Sequence, residues 1–141
     1  MEKMNKYPEF SDLKGKTLKS VTGDVGFDEV TFKTTDDETY MLLHFQNCCE
    51  SVLIEDINGH LDDLVGSEIL VAEESSNHDP TPDGSPDKKT EAEKRWNDSH
   101  TWTFYKIATA KGHVVIRWLG TSNGYYSESV DFIKVKNERI V

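Results

Sequence analysis

Cysteine, arginine and long apolar runs are all scarce in this chain, and each scarcity removes a class of protein. Only two cysteines occur, and they are neighbours, Cys48 and Cys49. A disulfide framework needs partners distant in sequence, and an adjacent pair closes only a small, strained ring. Disulfide-stapled secreted scaffolds are therefore excluded, and a cytoplasmic, reducing setting is expected. Arginine and lysine together number 16 against 26 acidic residues, a formal net charge of −10. Such a chain repels phosphate backbones and anionic lipid, which argues against a general nucleic-acid or membrane binder and for a basic partner. No apolar run approaches the ~18 residues of a spanning helix, and the opening MEKMNK lacks a signal peptide's apolar segment. Catalytic signatures are missing too: no phosphate-cradling glycine loop, no HExxH, no GxSxG and no dinucleotide fingerprint.

What is present is strand pattern. Residues 101–135 alternate apolar and polar with a period of two, broken by a reversal at Ala110-Lys111-Gly112. A two-residue turn there sets Thr103, Tyr105 and Ile107 opposite Trp118, Ile116 and Val114. A three-residue loop instead faces Trp102 with Trp118 and Phe104 with Ile116, and the slip exchanges the two faces. Upstream, residues 17–22, 29–34, 39–45, 50–57 and 67–72 read as further strands, with turn chemistry at Gly23–Gly26, Asp36-Asp37-Glu38 and Asn58-Gly59. In 50–57 the apolar positions are Val52, Leu53 or Ile54, and Ile57, a spacing that also admits a helix. Residues 8–14 and 60–65 read as single helical turns, stopped by Gly15 and Gly66. The expectation is a mostly β protein: a single antiparallel β-sandwich or barrel domain over 1–141, with one or two short helices and a long acidic loop.

That loop comes from a change in composition. Residues 73–100 hold three of the four prolines and almost no large apolar residue except Trp96. Such a segment cannot bury enough apolar surface to offset its ordering entropy, so residues 74–99 are expected to form a disordered acidic insertion, with 90–96 able to become helical against a partner. Between residues 50 and 93 there are thirteen acidic residues and two basic ones, Lys88 and Lys89. The negative charge is thus concentrated rather than spread.

Three groups of residues could carry function. His44, Cys48, Cys49 and Glu50 bear the donor types zinc uses, but no second CxxC or HxxxH pair closes a four-ligand set. Adjacent strand residues also point to opposite faces. No metal or cofactor is expected, and these four are the ligands if one binds. A cysteine nucleophile with His44 as base lacks an identifiable oxyanion hole, so a non-enzymatic role is expected. The polar-aromatic loop Ser122-Asn123-Gly124-Tyr125-Tyr126-Ser127-Glu128 is the most site-like: Asn-Gly reverses the chain, and Tyr125 and Tyr126 stand beside hydroxyl and carboxylate groups. Arg117 could pair with an acidic neighbour or hold an anion. The acidic residues Asp62, Asp63, Glu73 and Glu74 complete the candidate binding set with Ser122, Asn123, Tyr125, Tyr126 and Glu128.

The ordered pieces Gly15-Lys16, His44-x-Gln46-x-Cys48-Cys49-Glu50, Ile54-Glu55-Asp56-Ile57 with Gly59, Asp63-Leu64, Ala72-Glu73-Glu74, Thr101-Trp102-Thr103-Phe104-Tyr105, Arg117-Trp118 and Ser122 through Glu128 resemble a family of small proteins carried by bacteriophages and prophages. The resemblance spans roughly residues 13–135 and departs at Asn47, where an acidic residue is expected. It implies a phage-encoded protein in the host cytoplasm and supplies no activity. The expected function is a non-enzymatic accessory protein that binds and inhibits a host protein, such as a nucleic-acid-handling or defence complex, through an acidic and aromatic surface. The alternative is a small-ligand or metal-binding domain using His44, Cys48, Cys49 and Glu50.

Overall fold

The turn at Ala110-Lys111 sets the register for half the molecule. In the computed structural model, which describes residues 8–46, 49–78, 99–122 and 127–135, the turn has two residues and Thr109 pairs with Gly112. Thr103 therefore faces Trp118, Tyr105 faces Ile116 and Ile107 faces Val114. All of these side chains are buried, which is the first of the two registers open to the sequence.

Eight strands form two antiparallel sheets of four. The first sheet runs β1 (Leu18–Thr22), β2 (Glu29–Thr34), β3 (Thr39–Leu43) and β8 (Asp131–Val135), in that order. The second is ordered β4 (Ser51–Asn58), β7 (Gly112–Ser122), β6 (Ser99–Thr109), β5 (Val71–His78). The sheets do not close into a barrel, so the fold is sandwich-like. Two short 3-10 turns, Phe10–Leu13 and Leu61–Leu64, stand where the sequence has its helical turns. No described helix is long and apolar enough to cross a membrane.

The core lies between the inner faces. Leu18, Val30, Phe32, Tyr40, Leu42 and Phe132 come from the first sheet and Val52, Ile54, Tyr105, Ile107, Val114, Ile116 and Trp118 from the second. Phe10 bridges them, with ring centroids 4.7 Å from Tyr105, 5.3 Å from Phe132 and 6.1 Å from Phe32. Tilted and edge-on contacts of this kind are the favoured aromatic geometries. The helix-or-strand ambiguity of residues 50–57 has a local cause. A bulge between Ile54 and Asp56 inserts Glu55 as an extra residue, so the inward positions run Val52, Ile54, Ile57 rather than strictly every second residue.

Strand β5 corrects one expectation. It begins at Val71, not residue 67, and continues through His78, well into the stretch assigned to a loop. Its partner β6 already begins at Ser99. Residues 73–77 are exposed on both sides, so this part of β5 is held by its ladder to β6 (Glu73 opposite Lys106, Asn77 opposite Trp102) and not by burial. The remainder of the acidic insertion, 79–98, with the helical candidate 90–96, lies outside the described residues.

Candidate functional site

Three segments singled out by their composition enter and leave the second sheet at the same end. Strand β4 begins at Ser51 opposite Thr121, β6 begins at Ser99 opposite Ser122, and His78 at the end of β5 is opposite Thr101. The strand ends from which the connection 44–50, the acidic insertion and the connection after Ser122 depart are therefore neighbours. The strand ladder places them so.

Two buried carboxylates tie this end together. The Glu50 side chain is fully buried and that of His44 is 3% exposed, with Nε2 and Oε2 2.6 Å apart. The other ring nitrogen, Nδ1, lies 2.7 Å from the Ser129 carbonyl oxygen. A carbonyl can only accept, so Nδ1 carries a proton and donates. Nε2 is within hydrogen-bond distance of Oε2, and both ring nitrogens are thereby committed. Gln46 donates its side-chain amide to the Glu50 carbonyl at 2.6 Å. Glu128, 7% exposed, accepts from Thr101 Oγ1 at 2.7 Å and from the Ser122 hydroxyl. Its backbone lies against Gly120, where a Cβ would stand 2.5 Å from the Glu128 carbonyl oxygen. Only glycine lets the returning chain come this close. Residues 128–129 are thus clamped from two directions, by β6 and β7 through the Glu128 carboxylate and by His44 through the Ser129 carbonyl.

The remaining candidates fall elsewhere. Asn123, Tyr125 and Tyr126 lie outside the described residues, as does Cys48. Cys49 is exposed and disulfide-bonded. His44 and Glu50 bind each other, and among the described residues no three His, Cys, Asp or Glu side chains gather as metal ligands. Arg117 is held by Glu55, the bulge residue, with Nε 2.7 Å from Oε1, and its guanidinium stacks 5.4 Å from the Trp102 ring. It serves an ion pair on the face of β7. Asp62 and Asp63 sit in the 3-10 turn at the opposite end of the second sheet, where the Asp63 carbonyl accepts from Thr109 Oγ1 at 2.6 Å and Asp63 packs on Gly112. They do not join the loop end.

Glu73 and Glu74 line a second feature that no sequence motif marks. A cavity of about 590 Å³ opens between β5, β8 and the start of the first 3-10 turn. Its walls are apolar at Phe10, Ala72, Val130 and Phe132 and acidic at Glu9, Glu73, Glu74 and Asp131. Beneath it the buried Tyr105 hydroxyl donates to Glu74 Oε2 at 3.0 Å. Burial first, then the carboxylates of Glu74 and Asp131, push that phenol far up, so it stays a proton donor. Asp131 Oδ2 accepts the backbone N–H of Phe45 at 3.2 Å.

Fold and site together define an antiparallel β-sandwich protein whose buried polar groups brace connections between its two sheets. Residues 11–132 match the family described as "Domain of unknown function (DUF7448)", and the chain belongs to that family. No curated protein and no solved structure matches it.

Proposed function

We propose that this is a non-catalytic binding protein, a phage-borne accessory factor that engages and blocks a basic host protein. The observation carrying this reading is the convergence at one end of the second sheet of the acidic insertion's two anchors and the braced connections 44–50 and 122–130. Binding loops on a rigid scaffold are the common arrangement for recognition. The titratable groups at this end favour the same reading over catalysis. Both nitrogens of His44 are spent on Glu50 and Ser129, and Glu128 is spent on Thr101 and Ser122, so none offers a free base beside a reachable cavity. The phage origin rests on the sequence resemblance, and the basic character of the partner rests on charge complementarity.

The test is capture from host lysate with the full chain and with a variant carrying a short Gly/Ser linker in place of residues 79–98. A basic protein retained at low salt, released at molar salt and lost from the variant supports the reading. Affinity that does not change with salt overturns the acidic mode of binding. Turnover of a substrate by the purified chain, abolished by His44→Ala, overturns the non-catalytic reading.

A further inference from the structure

We propose that the groove between β5 and β8 is the docking channel for an extended basic segment of a protein partner, whose lysine or arginine side chains meet its carboxylates. This rests on the binding-protein reading above and adds the surface and the partner's chemistry. Three independent features of the groove agree.

The first is backbone. β5 and β8 each end the strand order of their sheet. The other outer strands are covered: the β1–β2 connection bonds to β4 through Gly26 N–H to the Ile54 carbonyl at 2.8 Å and Ile54 N–H to the Phe27 carbonyl at 2.9 Å, and Gly66 N–H bonds to the Leu18 carbonyl of β1 at 2.9 Å. Gly15 and Lys16 cover Ile69 just before β5, and the 3-10 turn Phe10–Leu13 packs beside the start of β5 without bonding to its backbone. From Val71 onward the only backbone partner of β5 among the described residues is β6, and that of β8 is β3. An extended chain can add to such an edge through main-chain hydrogen bonds.

Charge is the second. Among the described residues that line the cavity, Glu9, Glu73, Glu74 and Asp131 are acidic and none is Lys, Arg or His. The Glu74 and Asp131 carboxylates are held by neutral donors, the Tyr105 hydroxyl and the Phe45 N–H. Neutral donors orient a carboxylate without cancelling its charge. The third feature is shape: Phe10 and Phe132 supply an apolar floor beneath the acidic rim. A lysine or arginine side chain carries an alkyl stem and a charged head, and so satisfies floor and rim together.

The experiment is a titration of the isotope-labelled full chain with a synthetic peptide of alternating lysine and valine, followed by backbone amide NMR. The expected result is saturable shifts concentrated on residues 8–11, 71–75 and 130–133. Glu73→Gln, at an exposed position, and the double variant Glu74→Gln/Asp131→Asn are each expected to weaken binding, the double variant by about tenfold. A matched glutamate–valine peptide should shift nothing. Shifts confined to Ser122, Ser127 and Glu128 overturn the groove and leave the binding-protein reading standing. Shifts spread evenly over the acidic surface, or affinity unchanged in both variants, overturn the groove as well. Absence of any binding at low salt counts against both.

Discussion

The two ends of the second sheet solve the same problem with different chemistry. At the Ala110-Lys111 end a two-residue turn joins β6 to β7, and the twelve-residue connection 59–70 joins β4 to β5 through Gly59, with φ +116°, and a 3-10 turn whose backbone accepts from Thr109. The groups in that hydrogen bond, a hydroxyl and a backbone carbonyl, are neutral. At the other end the connections 44–50 and 123–130 pass from one sheet to the other, and they are fastened by buried carboxylates, Glu50 on His44 and Glu128 on Thr101 and Ser122. Burying a carboxylate carries a desolvation penalty that only well-placed donors offset. The fold meets that penalty twice at one end and not at the other. Charge is used where the chain crosses between the sheets; at the other end, where both connections stay within one sheet, backbone geometry and a neutral hydrogen bond serve.

The sharpest way to break this contrast is to strip one buried partner. Glu50→Ala leaves the His44 ring facing an empty space and the Ser129 carbonyl as its only acceptor. Loss of one member of a buried pair costs about 3–5 kcal/mol, and urea unfolding followed by tryptophan fluorescence should show it. A loss below about 1 kcal/mol would mean that the pair braces nothing. A second comparison uses two glycines. Gly120→Ala drives a Cβ to 2.5 Å from the Glu128 carbonyl oxygen, a fixed backbone atom, whereas Gly112→Ala meets Asp63 Oδ2 at 2.8 Å, the movable tip of a side chain. The first should cost about 1–3 kcal/mol by overpacking and the second distinctly less. Equal losses would erase the difference between the ends.

Much of the fold was legible because burial writes itself as alternation. Strand β2 is readable residue for residue, since Val30, Phe32 and Thr34 are buried while Glu29 and Lys33 are exposed and Thr31 is half-buried. The second half of β5 was not legible, because Glu73-Glu74-Ser75-Ser76-Asn77 buries nothing and owes its form to pairing with β6. For the site, composition pointed to the right segments but not to what their residues do. His44 and Glu50 are six apart and look like two ligands for a third party; in the structure each is the other's partner. Thr101 and Ser129 carried no signal at all, since they act across 27 and 85 residues of chain. Contacts at such separations are set by topology, and a local pattern contains no trace of them.

Single hydroxyls give a finer version of the contrast. Thr101 Oγ1 donates to a carboxylate at 2.7 Å, and Thr109 Oγ1 donates to a neutral backbone carbonyl at 2.6 Å. Hydrogen bonds to charged groups contribute about 1.5–3 kcal/mol and neutral ones about 0.5–1.5. Thr101→Val should therefore lower stability more than Thr109→Val, although the two distances are nearly the same. Matched unfolding curves at neutral pH settle the order, and a reversed order removes the special role of Glu128.

A carboxylate on the other sheet supplies the weakest and most specific check. Burial of Glu38 by itself pushes its carboxyl up, but hydrogen bonds and charge from Lys16 and Lys134, 3.1 and 3.2 Å away, outweigh that and hold it below its ordinary value of 4.5. A carboxyl depressed in the folded state stabilises the fold fully above its unfolded value. That contribution fades as pH falls below 4.5 and through the lower folded value. Its side chain is a quarter exposed, so solvent screening limits the effect to under about 1 kcal/mol. Glu38→Gln should accordingly lower Tm slightly at neutral pH, with the gap to the parent closing below pH 4. A gap that persists unchanged into acid would show that the side chain acts through packing on Tyr40 and not through its charge.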